Sequence, residues 1–201
     1  MKKVLILMLC FALVASVASA QIRLETELSN HAIPALNGIG GVSPTVVGAI
    51  IPNATVKVGY AISPAIVISG IFGMQSSSYE DDSGNNPEAT ASGSQIGLGV
   101  DYILPMGGNV DVEVGGSYCA ISGTIDGEND VGDTADAAIG GSILELSVKA
   151  VGKINDGIGL FVKAAYESVQ ATLDNELPAT EAKSEESASG IKTAIGVIVN
   201  I

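Results

Sequence analysis

Residues 94–123 read "SQIGLGVDYILPMGGNVDVEVGGSYCAISG", and this stretch decides the fold. On both sides of the Pro- and Gly-containing segment 105–109, aliphatic or aromatic residues alternate with polar or small residues. The three charged residues, Asp101, Asp111 and Glu113, all belong to the polar set. A period of two indicates β-strands with two unlike faces. The stretch therefore predicts a β-hairpin with one apolar face and one face that carries carboxylates.

The same alternation recurs along the chain and predicts eight strands. They cover residues 22–32, 51–62, 65–79, 93–104, 110–124, 142–153, 157–173 and 190–201. Tight connections with Pro, Gly and Asn alternate with long ones at 37–49, 80–92, 126–140 and 174–189. This rhythm is typical of an up-and-down barrel with one plain rim and one elaborated rim, as in bacterial outer-membrane barrels.

The first twenty residues have the features of an export signal. Lys2 and Lys3 precede an apolar run over residues 4–17, and the small residues Ala18-Ser19-Ala20 follow it. We expect a secretory signal peptide over residues 1–20, cleaved before Gln21. The remaining residues, 21–201, are expected to form one barrel domain. After residue 20 no apolar run reaches the ~18 residues that a spanning helix needs.

Composition narrows the class further. The chain has 22 acidic and 9 basic residues, for a net charge of −13, and removal of Lys2 and Lys3 makes it −15. We do not expect the protein to bind nucleic acid, because phosphate recognition needs a basic face. Mean hydropathy is high, at +0.43. An exported chain this apolar, without a spanning helix, indicates a transmembrane barrel or an unusually apolar soluble β-protein.

The polar faces of the predicted strands carry charges of both signs. They are Arg23, Glu25, Glu27, Lys57, Asp101, Asp111, Glu113, Glu145, Lys149, Lys163, Glu167 and Lys192. The same faces are rich in glycine, which a narrow eight-stranded lumen needs beside long side chains. Because enclosed charges must be paired, we predict a lumen charge network in which Glu113 faces Lys149 and Glu167 faces Lys192. The apolar faces then meet lipid.

The export signal, the eight alternating strands and the alternation of short turns with long loops resemble the small eight-stranded outer-membrane barrels of the OmpX, OmpW and OmpA-barrel type. The resemblance covers residues 21–201. It implies an all-β, eight-stranded antiparallel up-and-down transmembrane β-barrel in the bacterial outer membrane. It also implies a monomer in contact with outer-membrane lipids and lipopolysaccharide. One departure is the chain end, "IGVIVNI", where such proteins usually end in Phe or Trp.

Candidate chemical sites are few. His31 is the only histidine, so a His-based metal cluster is excluded. Glu27, Ser29 and His31 share one face of the first strand, and this set of residue types suggests an outer-membrane lipid hydrolase as one reading. However, side chains two apart on a strand lie ~6.6 Å apart, too far for direct hydrogen bonding without help from a neighbouring strand. We therefore predict a polar lumen cluster instead. We expect no enzymatic activity and no cofactor.

The third long connection resembles a calcium loop. "DGENDVGD" places acids at Asp126, Glu128, Asp130 and Asp133, but it has Val131 at the glycine position and Ala137 at the glutamate position. These four acids are a weak metal candidate. Fourteen of the 22 acids lie in the last three long connections, so diffuse binding of divalent cations, or of a surface partner, is expected there.

Three functions remain open from the sequence. The first is a structural, envelope-integrity, adhesion or interaction role for an integral barrel with acidic surface loops. The second is a narrow, porin-like pore or transporter for small solutes, which a lumen crowded with charged side chains disfavours. The third is a soluble periplasmic ligand-binding β-barrel.

Overall fold

The computed structural model describes residues 21–32, 51–79, 89–128, 134–175 and 183–201. It contains eight strands: β1 (Ile22–Ala32), β2 (Ala54–Ser63), β3 (Ile66–Tyr79), β4 (Ala89–Pro105), β5 (Val110–Glu128), β6 (Thr134–Lys153), β7 (Ile158–Asn175) and β8 (Lys183–Asn200). The predicted signal peptide, the first long connection at 37–49 and most of the second lie outside the described residues.

The strands form a closed barrel in sequence order. Every neighbouring pair is antiparallel, and β1 closes the barrel by pairing with β8 from Arg23↔Asn200 to Ala32↔Ile191. The predicted all-β, eight-stranded up-and-down barrel is therefore confirmed. Within the described part of the chain, no helix has both the length and the apolarity that a membrane-crossing helix requires.

The three tight connections are located where the sequence predicts them. Two residues, Pro64 and Ala65, join β2 to β3. In the turn between β4 and β5, Gly107 and Gly108 have φ values of +85° and +69°, which only glycine adopts at little cost. In the turn after β6, Asn155 Oδ1 accepts hydrogen bonds from the N–H groups of Gly157 (2.9 Å) and Ile158 (2.8 Å). We refer to this end of the barrel as the turn rim, and to the opposite end as the loop rim.

Several strands extend further toward the loop rim than predicted. β6 begins at Thr134 and not at residue 142, and β8 begins at Lys183 and not at residue 190. The predicted third loop at 126–140 is therefore mostly strand. The reason is that the outward-facing residues become polar or small here, while Ile121, Ile139 and Ile143 face inward. The apolar-outside pattern therefore ends although backbone pairing continues. On the outer face, for example, the hydroxyls of Ser92 and Thr124 lie 3.0 Å apart across the β4–β5 ladder.

Below these extensions, the outer face of the barrel carries an apolar belt. Leu98 is 74% exposed, Leu146 59% and Val162 60%. On β4 the belt runs from Ile96 to Leu104, nine residues. At ~3.3 Å per residue and the usual strand tilt, this is about 20 Å of height. Tyr118 and Tyr166, both half or more exposed, lie at its loop-rim edge.

Candidate functional site in the barrel lumen

All twelve charged residues predicted to line the lumen face inward and are buried. Their exposed fractions range from 1% to 9%. They are Arg23, Glu25 and Glu27 on β1, Lys57 on β2, Asp101 on β4, Asp111 and Glu113 on β5, Glu145 and Lys149 on β6, Lys163 and Glu167 on β7, and Lys192 on β8. Eleven of them form two clusters. The twelfth, Asp111, pairs with Lys153 at the turn rim at 2.6 Å.

We define the turn-side cluster as Arg23, Glu25, Lys57, Asp101, Glu113 and Lys149. The Arg23 guanidinium donates two parallel hydrogen bonds to Glu113, each 2.7 Å. Lys149 Nζ lies 2.8 Å from Glu25 and 3.0 Å from Glu113. The predicted Glu113–Lys149 pair is therefore confirmed, and the two residues are direct partners in the β5–β6 ladder. The cluster has three cationic and three carboxylate side chains, so its charges balance.

We define the loop-side cluster as Glu27, His31, Glu145, Lys163, Glu167 and Lys192. Lys163 Nζ lies 2.5 Å from Glu27 and 3.1 Å from Glu145. Lys192 Nζ lies 2.7 Å from Glu27, 2.9 Å from Glu145 and 3.7 Å from Glu167. The predicted Glu167–Lys192 pair is thus present at 3.7 Å, but Lys192 pairs in the ladder with Ala165, two residues from the predicted register.

Apolar side chains lie on both sides of the charges, which the sequence analysis did not anticipate. Toward the turn rim, Val151, Phe161 and Ile198 form a buried cluster. Toward the loop rim, Ile121, Ile143 and Val169 are 0% to 3% exposed and align across β5, β6 and β7. These apolar residues occupy the same alternate strand positions as the charged residues. That spacing is the sequence signal that could have identified them as inward-facing.

The lumen leaves little free space among these groups. Beside Arg23, Lys57 and Asp101, the space between the side chains is too narrow to hold a water molecule. Glycines on the inner face make this packing possible. A Cβ at Gly97 would overlap the Cys119 sulfur, and one at Gly115 would overlap Asp101 Oδ1. By contrast, a Cβ at the outward-facing Gly70 would meet nothing within 4 Å. The described part of the lumen is a packed interior.

One group of buried carboxylates has the spacing of a metal site. Ligand atoms of Glu25, Asp101 and Glu113 all lie within 4.8 Å of one another. The Lys149 ammonium lies within 3.0 Å of two of these residues and 3.7 Å from Asp101. It therefore supplies the positive charge at the place where a metal ion would bind, so the donor set does not fit a metal.

The predicted calcium loop is only partly described. Asp126 and Glu128 belong to β5, while Asp130 and Asp133 lie outside the described residues. Asp126 pairs in the ladder with Asp136 of β6. Two of the four candidate ligands are thus on an extended strand.

Two residues on the same face of β1 are in direct contact, contrary to the prediction from strand spacing. Ser29 Oγ lies 3.0 Å from His31 Nε2. The carboxylate that completes the group is not Glu27 but Glu167, whose Oε2 lies 2.7 Å from His31 Nδ1. The ~6.6 Å rule applies to parallel side chains, whereas the long imidazole leans along the strand toward the hydroxyl.

Comparison with known proteins shows similarity in structure only. No protein-family model and no curated protein matches the sequence. A major outer membrane protein of Thermus thermophilus superposes with a TM-score of 0.55, at 11% identity, over 90% of this chain and 99% of that one. Ail, the attachment invasion locus protein of Yersinia pestis, superposes with a TM-score of 0.51, at 10% identity, over 90% and 97%. This chain therefore has the fold of the small eight-stranded outer-membrane β-barrel proteins.

Proposed function

We propose that the protein is a monomeric, integral barrel of the bacterial outer membrane that displays acidic loops, with a structural, envelope-integrity or adhesive role. The proposal includes the export of the chain by residues 1–20 and their removal before Gln21. The distribution of side chains carries it: an apolar belt of about 20 Å surrounds the outside, while paired charges fill the inside. A soluble barrel would have the opposite arrangement.

The packed lumen supports anchoring over transport. Both charge clusters are ion-paired across the interior, and apolar layers lie on either side of them. An ion crossing this interior would have to break several buried pairs, each of which is costly to separate. A pore or transporter for small solutes is therefore the less favoured function.

The net negative charge of the chain disfavours anionic partners. Ail has been crystallised with the heparin analogue sucrose octasulfate. This chain carries a net charge of −13, with fourteen acids in its last three long connections, so a polysulfated ligand would be repelled. Partners that fit are lipopolysaccharide bridged by divalent cations, or a cationic surface of another molecule.

A membrane-insertion experiment tests the proposal. Val114 is 45% exposed in the middle of the belt on β5. Arginine at the bilayer midplane costs ~2–4 kcal/mol in such barrels, so Val114→Arg should impair folding into bilayers and have less effect in detergent. Ser122→Arg, on the same strand and face but beyond the belt, is the matched control and should fold normally. Equal tolerance of both variants in bilayers would argue for a soluble barrel.

A further inference from the structure

Three side chains near the loop rim form a chain of hydrogen bonds from an accessible hydroxyl to a buried carboxylate. Ser29 Oγ lies 3.0 Å from His31 Nε2, and His31 Nδ1 lies 2.7 Å from Glu167 Oε2. Ser29 and His31 face the same side of β1, and Glu167 reaches them from β7 past the intervening β8. This order of groups, hydroxyl, imidazole and carboxylate, is that of a serine nucleophile with its base and the group that orients the base.

The hydrogen-bond roles follow from the donors and acceptors. An ionised carboxylate only accepts, so Nδ1 of a neutral His31 carries the proton and donates it to Glu167. Nε2 then has a lone pair toward Ser29 and can accept the hydroxyl hydrogen. That hydrogen has an alternative acceptor, the carbonyl of Asn53, 3.2 Å from Ser29 Oγ. The rotamer of the hydroxyl that points to His31 is the reactive one.

Burial increases along the chain of hydrogen bonds. Ser29 is half-buried, the His31 side chain is 9% exposed and the Glu167 side chain is 2% exposed. Glu167 is held on its other oxygen by Lys192 at 3.7 Å, and its direction is therefore constrained from two sides. His31 is therefore oriented from its buried side by Glu167, while Ser29 lies at the accessible end of the chain of hydrogen bonds.

The strand pairing places Ser29 at the edge of the β1–β2 ladder. The last paired rung is Leu28↔Ala54, where β2 begins, while β1 continues along β8 as far as Ala32. Ser29 is thus the first residue of β1 beyond that rung, and its N–H donates to the Asn53 carbonyl at 2.7 Å. A reactant reaching Ser29 from the loop rim does not have to enter the charge clusters below.

We propose that Ser29 is the nucleophile of a hydrolytic site for small, uncharged carboxylic esters, with His31 as its base and Glu167 as the positioning residue. Ser29 Oγ bonds to the ester carbonyl carbon as its proton passes to His31 Nε2. The C–O bond to the leaving alcohol then breaks, and the alcohol takes that proton. Water, deprotonated by His31, attacks the acyl-serine, and Ser29 regains its proton as the carboxylic acid leaves.

The charge around the site selects the substrate class. The loop-side cluster holds three carboxylates against two lysines, and the last three long connections of the chain carry fourteen acids. A negatively charged ester would be repelled on approach. On the inner side of the site, Glu27, Lys163 and Lys192 are buried and ion-paired with one another, which obstructs a long group, so a short acyl chain is the part of the substrate that fits.

The test uses the purified full-length barrel folded in detergent, with a fluorophosphonate probe and p-nitrophenyl butyrate. We expect the probe to label Ser29 and the ester to be hydrolysed, with both reactions lost in Ser29→Ala and in His31→Gln. Ser94→Ala is the matched control: this outward-facing hydroxyl pairs with Ser122 at 3.0 Å, and its loss should change neither reaction. The heat-modifiable gel mobility of each variant checks that the barrel is folded.

The variant Glu167→Gln tests whether Glu167 orients His31 for the reaction or only stabilises the barrel. The glutamine keeps the size of the side chain but cannot hold His31 in the same tautomer, so kcat should fall at least ~100-fold while KM stays within about twofold. A folded wild-type barrel without labelling or hydrolysis would overturn the proposal, as would Ser29→Ala retaining both. Neither result would bear on the proposed membrane location, which the insertion experiment tests separately.

Discussion

Removal of the Lys149 ammonium should be among the most destabilising single changes in the barrel. Its side chain is 1% exposed and lies within 3.0 Å of Glu25 and Glu113. Lys149→Met keeps much of the apolar stem but leaves three carboxylates facing two cations. Each contact at this distance is worth about 5 kcal/mol at an effective dielectric constant of ~20. Because desolvation of the charges offsets part of that, we expect a loss of ~3–5 kcal/mol in the free energy of unfolding.

The second half of this prediction is a double-mutant cycle. Glu113→Gln alone also leaves an uncompensated charge, but in Glu113→Gln/Lys149→Met the remaining two carboxylates face Arg23 and Lys57. The double variant should therefore lose less stability than the two single variants together, with a coupling energy of ~2–3 kcal/mol. Equilibrium unfolding by urea in detergent micelles measures all four proteins.

A pair at the turn rim is the matched control. Asp111 and Lys153 are 2.6 Å apart, but the Lys153 side chain is 47% exposed. Solvent screens this pair, so the cycle of Asp111→Asn and Lys153→Met should give a coupling of less than ~1 kcal/mol. Additive effects at Glu113 and Lys149, or equal coupling at the two pairs, would refute the reasoning about an enclosed lumen.

Three further predictions concern packing, transport and cation binding. Gly97→Ala should destabilise the barrel by ~1–3 kcal/mol in urea unfolding, because its Cβ would overlap the Cys119 sulfur, whereas Gly70→Ala on the outer face should change stability by less than ~0.5 kcal/mol. In planar bilayers the folded protein should show no stable channel conductance, and regular single-channel steps would contradict the packed lumen. Calorimetry should find only shallow, salt-sensitive calcium and magnesium binding, and a stoichiometric sub-micromolar calcium site within residues 126–136 would contradict this.

Much of the fold could be predicted from the sequence because the belt and the lumen have opposite chemistry. Wherever one face of a strand meets an apolar medium and the other lies inside, the side chains must alternate, and β1 and the three tight turns follow directly. Beyond the belt this constraint ends. Around Ser92, Thr124 and Ser142 the outward-facing residues are polar or small, so the sequence pattern there predicts loops where the strands in fact continue.

The charged residues of the lumen could also be predicted, since they alternate along each strand with the apolar residues of the belt. Their exact ion-pair partners could not be predicted, because these depend on the register between neighbouring strands. Lys192 illustrates this: its ladder partner is Ala165, and its shortest ion pair is with Glu27 at 2.7 Å. The Ser29–His31 contact could not be predicted either, because strand spacing describes backbones and not the reach of an imidazole.

The most direct test of the account asks which face of the barrel meets lipid. The chain has no tryptophan, so Leu146→Trp introduces a single fluorophore on the outer face of β6, at a position that is 59% exposed. Asn109→Trp, in the turn between β4 and β5, serves as the control. In bilayers with acyl-chain-brominated lipids, the fluorescence at position 146 should be strongly quenched and should resist aqueous acrylamide, with the reverse at position 109. Acrylamide quenching at 146 without bromine quenching would show that the apolar belt does not face the membrane.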